Sequence, residues 1–173
     1  EAYTAMGEAG ILSAAATINA NQNVDNVGDV PTGCTSDYLV NVTNTNSSDQ
    51  KASAGYGLVS IDLGAPGSSI LSTYDNGSTS SLSGTSMATP HVAGAIAFLH
   101  SVMTSGFSNF QKENPGEGAL ALKTILLEGT DLISSLDNIT VTGGRLNLNN
   151  AALLVSEFMA SDSLDPNPVS NFI

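Results

Sequence analysis

The sequence predicts an α/β domain of three layers, with a mostly parallel sheet between helices, and three observations carry that reading. "ILSAAA" (11–16) is an apolar run without alternation, the pattern of a strand covered on both faces. "SMATPHVAGAIAFLHSVM" (86–103) is a helix in which Val92, Ile96, Leu99 and Met103 form one stripe, while Ala93, Gly94, Ala95 and Ala97 keep much of the remaining surface small and apolar. Such a helix belongs in the middle of a domain. The length of 173 residues fits one such domain, since a chain near 150 residues hides roughly 70% of its unfolded surface.

The elements follow in order. Ala2, Ala5, Met6 and Ala9 stand at helical spacing, and Gly10 suits the left-handed end of that helix. After the strand at 11–16, "TINANQNVDNVGDVPTG" (17–33) is rich in Asn, Asp, Gly and Pro and reads as a long loop of the kind that carries function at a strand end. "YLVNVTN" (38–44), "LVSIDLGAPG" (58–67) and "SSILSTY" (68–74) read as strands separated and followed by Ser, Asn and Gly turns. The helix at 86–103 comes next, then a polar loop (104–117), a helical pattern at Ala119, Leu122 and Leu126, and a last helix within "GRLNLNNAALLVSEFMA". The end, 158–173, has two prolines and little periodicity and reads as an extended tail or linker. No repeats occur.

Sixteen acidic against four basic residues give a net charge of -12, and Lys51, Lys112, Lys123 and Arg145 are scattered. That balance argues against a nucleic-acid or anionic-membrane partner and describes a solvated acidic surface. Cys34 is alone, which excludes an internal disulfide or a cysteine metal cage and reads as a structural thiol. No apolar run approaches the roughly 20 residues that span a bilayer.

The segment "SGTSMATPHVAGAIAF" (83–98) sets a serine among small residues at the mouth of the long helix. As an N-cap, Ser86 would accept a bond from an early helical N–H, worth about 1 kcal/mol. As a nucleophile it would present its oxygen outward while its own N–H faces a forming oxyanion, at the helix end where the dipole favours negative charge. Gly84, Thr85, Ala88 and Thr89 supply room for a substrate backbone. Pro90, near the helix start, is tolerated where its N–H would have no partner. The stretch is not a G-x-S-x-G elbow, because Ala88 replaces the second glycine.

Residues 84–94, "GTSMATPHVAG", resemble position for position the Gly-Thr-Ser-Met-Ala-x-Pro-His-Val-Ala-Gly signature around the nucleophile of the subtilisin-like serine proteases, the subtilases. "GILSAAATIN" is similar to the family's strand ending in Ala-Ala-Gly-Asn, "IDLGAPG" to its x-Ala-Pro-Gly turn, and "GRLNLNNAA" to its closing Gly-x-x-Asn-x-x-x-Ala segment. The resemblance implies a subtilisin-like three-layer fold over 1–157 and endoproteolysis of a polypeptide substrate by acyl transfer, in a secreted protein. It gives Ser86 the nucleophile's place, its N–H one half of the oxyanion hole, and Asn19 the other half. Ile18 departs from the family's glycine and limits the turn that aims Asn19, so Asn21 stands as a second candidate. Asn19 also reads as a turn residue bonding its own backbone. Ala14, Ala15, Ala16, Gly28 and Pro31 match segments that wall the primary specificity pocket, and Val30-Pro31 lies where the family often has a cis proline. The chemistry requires no cofactor. "NQNVDNVGD" (21–29) could offer carbonyls and carboxylates to a structural Ca²⁺, and reads equally as a solvated loop.

A serine hydroxyl needs a base, and the base an orienting acid. His91 lies within the nucleophile signature itself, off a different helix face from Ser86, and His100 lies two and a half turns further on. The His-Gly-Thr and Asp-x-Gly motifs of the family do not occur. The resemblance therefore implies the C-terminal half of a catalytic domain, whose Asp and His lie on an N-terminal segment or a separate chain. The alternative is a non-catalytic binding or scaffold module derived from that half.

Overall fold

A computed structural model describes residues 1–158. The chain opens with α1 (Ala2–Glu8), and Gly10, at φ 89, turns the backbone into β1 (Ser13–Ala16). A one-turn helix α2 (Val24–Val27) interrupts the expected loop, because Asn23 caps it by accepting from the Asp25 N–H. Strands β2 (Leu39–Thr45) and β3 (Leu63–Pro66) follow, then a hairpin of β4 (Ile70–Thr73) and β5 (Thr79–Leu82). Helix α3 (Thr85–Val102) leads to α4 (Ser105–Glu113), α5 (Pro115–Glu128), β6 (Asp131–Leu132), β7 (Gly144–Arg145) and α6 (Leu148–Glu157).

The main sheet has the order β1-β2-β3-β7-β6, with β1, β2, β3 and β7 parallel and β6 antiparallel at one edge. It is a mixed, mostly parallel sheet flanked by helices, the three-layer α/β architecture expected. Strand β2 shows how each face is used. Val40 and Val42 enter one apolar cluster with Leu63, Val92, Ile96, Leu99, Leu122, Leu126 and Val155, which joins the sheet to α3, α5 and α6. Fully burying one such side chain contributes about 1.5–3 kcal/mol. The alternate residues of β2 are polar and bind the loops on the other face: Asn41 donates to the Thr32 and Ser60 carbonyls and Thr43 to that of Gly55.

Several expectations fail for tertiary reasons. Residues 58–62 are not strand, because the Asp25 carboxylate takes the Val59 and Ser60 N–H groups and holds that segment as a turn. The Ser-rich 79–82 is β5, paired across the hairpin with 70–73. The polar loop at 104–117 is instead α4 and the start of α5. Thr104 caps α4 by accepting from the Phe107 N–H at 3.1 Å, and Phe107 is buried edge-on to Phe158, ring centroids 4.4 Å apart. Phe158, assigned by sequence to the tail, thus packs into the core; the rest of that tail lies outside the described residues. Cys34 is exposed, not packed as a structural thiol. Pro90 stands beyond the first turn of α3, in the helix interior, so its missing N–H leaves the Ser86 carbonyl without its usual intrahelical donor.

Candidate active site

Parallel strands bring the ends of β1 and β3 to one side of the sheet, and the residues in question leave from there. Asn19 follows β1 by three residues, and Ser86 is the second residue of α3. The loop ahead of Ser86 is tied to the end of β3, where the Gly84 N–H donates to the Gly67 carbonyl at 2.8 Å. Gly84 lies so close to Asn19 that a Cβ there would sit 3.2 Å from the amide oxygen and 3.4 Å from the nitrogen.

Thr85 joins the two segments. Its N–H donates to Asn19 Oδ1 at 2.8 Å, and its hydroxyl donates to the Thr17 carbonyl at 2.5 Å while lying 3.0 Å from Asn19 Oδ1. A backbone N–H can only donate, so it fixes the amide oxygen of Asn19 toward the helix and assigns the NH₂ to the remaining position. That NH₂ makes no hydrogen bond among the described residues. Ser86 is exposed, and neither its hydroxyl nor its N–H is bonded there, the latter being one of the N–H groups a helix start leaves unsatisfied. Ser86 is not the cap; Gly84 holds that position without a side-chain bond. Two N–H donors and a hydroxyl thus stand unpaired at one helix N-terminus, an arrangement able to receive a developing negative charge.

Asn21 is placed differently. Its oxygen accepts from Lys51 Nζ at 2.7 Å, and the same ammonium donates to the Ala52 and Ala54 carbonyls and lies 5.2 Å over the Tyr56 ring. Burial holds that lysine below its ordinary pKa. Of the two asparagines, only Asn19 is bonded to the helix of Ser86. Among the residues matched to the specificity pocket, Ala15 is buried and Ala14 packs against the apolar cluster, whereas Ala16 is half-buried at the end of β1. Gly28, at φ 76, ends α2 in open space, and the Val30–Pro31 peptide is cis.

No base stands at Ser86 among the described residues. His91 Nδ1 lies 2.9 Å from the Met87 carbonyl of its own helix, and His100 lines a separate cavity of about 270 Å³ with Gly10, Met103 and Pro115. A larger cavity, about 590 Å³, opens at the opposite end of the sheet beside Leu39 and the Asp62–Lys123 ion pair. Burial raises the Asp62 carboxyl above its ordinary value, against the pull of Lys123. Neither Asn19 nor Ser86 lines either cavity.

The carboxylates of the loop 21–29 are engaged by protein donors. Asp29 accepts from the Thr17 and Thr32 hydroxyls at 2.7 Å and from the Ile18 and Val30 N–H groups at 2.9 Å. Asp25 accepts from Val59 and Ser60, so every carboxylate oxygen of the stretch already serves a protein donor. For both acids burial pushes the carboxyl up, and the hydrogen bonds outweigh it and bring it below the usual 3.8. Among the described residues no group of three or more His, Cys, Asp or Glu could hold a metal ion.

The model of the subtilase family matches residues 2–140. The chain belongs to the subtilase family. It is 42% identical over 133 residues to a subtilisin-like serine protease of Sarocladium strictum, covering 75% of this chain and 30% of that protein. An alkaline serine protease of Corniculantispora psalliotae is 34% identical over 144 residues, 82% of this chain and 33% of the relative. This subtilase chain thus spans about a third of the length of these two curated relatives. Its fold matches the A-subunit of the AB5 toxin from E. coli with a TM-score of 0.72 at 22% identity, over 89% of this chain and 54% of that one. No described helix of this subtilase is long and apolar enough to cross a membrane.

Sequence reasoning missed three residues here. Thr85 reads as a small residue that gives room, yet it is buried and orients Asn19. Thr17 and Asp29 read as loop residues. Their only signal is composition, a carboxylate and hydroxyls in one loop, and which of them meet depends on the fold.

Proposed function

We propose that this chain carries the nucleophile and the oxyanion site of an endopeptidase that hydrolyses polypeptides through an acyl-enzyme on Ser86. Ser86 Oγ attacks the scissile carbonyl as its proton passes to the base, and the Ser86 N–H and Asn19 Nδ2 donate to the oxyanion. The C–N bond breaks and the amine leaves with that proton, and water then hydrolyses the acyl ester to free Ser86 and the carboxylic acid. The observation that carries this reading is the bond from the Thr85 N–H to Asn19 Oδ1, which leaves the amide NH₂ unpaired beside an exposed serine. The Ser86 proton needs a base, and we assign the histidine and its aspartate to polypeptide beyond these 173 residues, joined or separate. The surfaces it would cover are the outer edge of β1, which no described strand pairs, and the exposed face of α3 at Pro90, Ala93, Gly94, Ala97 and Phe98. The secreted setting rests on family likeness. The tied-down His91 and remote His100 favour one other reading, a binding module that does no chemistry.

In the assembled protein, Ser86→Ala should lower hydrolysis by about 10⁶. Asn19→Ala should lower turnover by roughly 10² to 10³ with little change in KM, a magnitude measured on a protease of this same family. If Asn21→Ala gives the large loss and Asn19→Ala none, the oxyanion assignment is wrong. Undiminished hydrolysis by the Ser86→Ala protein would refute Ser86 as the nucleophile, and an assembled protein that hydrolyses no peptide would leave the binding module as the better reading.

A further inference from the structure

We propose that Asp29 is the positioning residue of the oxyanion site: its carboxylate grips Thr17 and Ile18 and so aims Asn19 at the substrate. The inference rests on the proteolytic reading above and adds to it a residue outside the signature. Three of the four donors on Asp29 meet at one oxygen, Oδ2: the Thr17 hydroxyl, the Ile18 N–H and the Thr32 hydroxyl. The fourth, the Val30 N–H, meets Oδ1.

Two of those donors belong to the residues immediately before Asn19. Ile18 is β-branched and 40% exposed, so its side chain does little to hold the turn. What holds it is polar. The Ile18 N–H goes to Asp29 and its carbonyl accepts from the Gly55 N–H at 2.8 Å, while the Thr17 carbonyl accepts from Thr85. Gly55 is needed at that place, because a Cβ there would collide with the Thr17 side chain. The segment 17–19 is thus clamped from one side by Asp29 and Gly55 and from the other by Thr85, the residue next to the nucleophile. A carboxylate suits the first position because it accepts from all four donors and offers no proton of its own. Misplacement of a donor by about 1 Å costs on the order of 10²-fold in rate, so loosening this clamp should appear in turnover.

The test is a double-mutant cycle in the assembled protease, following kcat and KM for one peptide substrate. Asp29→Ala should lower kcat by about 10- to 100-fold with KM changed far less. Asp29→Asn should recover much of that loss, since its amide oxygen can still take the three donors at Oδ2. In the Asn19→Ala background Asp29→Ala should cost almost nothing, because the group it aims is gone. Three results overturn the role while leaving the proteolytic reading intact: an unchanged kcat in Asp29→Ala, an equal loss in both backgrounds, or an Asp29→Asn protein no better than a misfolded Asp29→Ala. Failure of the unaltered assembled protein to hydrolyse any peptide overturns the proteolytic reading, and this role with it.

Discussion

The two faces of α3 differ in what completes them. Ala88, Val92 and Leu99 are fully buried, and Ala95 and Ile96 nearly so, against strands, α5 and α6 of this same chain. The opposite face carries Ser86, Pro90, Ala93, Gly94, Ala97 and Phe98, all exposed. A Cβ at Gly94 would meet nothing within 4 Å, whereas one at Gly129, beside α6, would collide with the Ala151 backbone. Small apolar residues on an open helix face permit close approach of another backbone, and a contiguous patch of them is uncommon on a soluble monomer. The buried face supplies stability, and the open face is the one on which the proposed function seats the polypeptide that carries the base.

Substitutions on each face sharpen that contrast. Leu99→Ala, on the buried face, should destabilise the chain by about 2–5 kcal/mol through lost transfer energy and the cavity left behind, read from denaturant unfolding. Gly94→Ala, on the open face, should stabilise the isolated chain by about 0.5–1 kcal/mol, because alanine is the better helix former and nothing opposes its methyl group. In the assembled protein the same methyl should weaken association. A Leu99→Ala chain as stable as the original, or a Gly94→Ala chain that is less stable alone, would erase the distinction between the faces.

The residues of that open face were legible in sequence because their chemistry is local: a serine at a helix start, small neighbours, a run of small residues along one side. The helix that starts within 84–94 and the parallel strand at 11–16 were readable for the same reason, and both appear in the fold, as α3 and as β1 over Ser13–Ala16. What escaped depends on distant partners. Helix α4 has a polar sequence, and its anchor is Phe107 against Phe158 from the far end of α6. The failure of 58–62 to form strand traces to one carboxylate on α2. Within the candidate site, Ser86 and Asn19 were expected from pattern, but the threonine that bonds the Asn19 amide oxygen and the aspartate bonded to Thr17 and Ile18 were not. Their roles are hydrogen bonds that exist only once β1, the loop and α3 converge.

The central claim is that Ser86 gains its base from polypeptide seated on the open face of α3. The most direct measurement is fluorophosphonate labelling located by mass spectrometry, on the 173-residue chain alone and on the protein assembled with the segment that carries the histidine and aspartate. The account predicts rapid labelling at Ser86 in the assembled protein and none above background in the chain alone. Equal labelling of Ser86 in both preparations would place the base within this chain and contradict the account, as would an assembled protein labelled elsewhere or not at all.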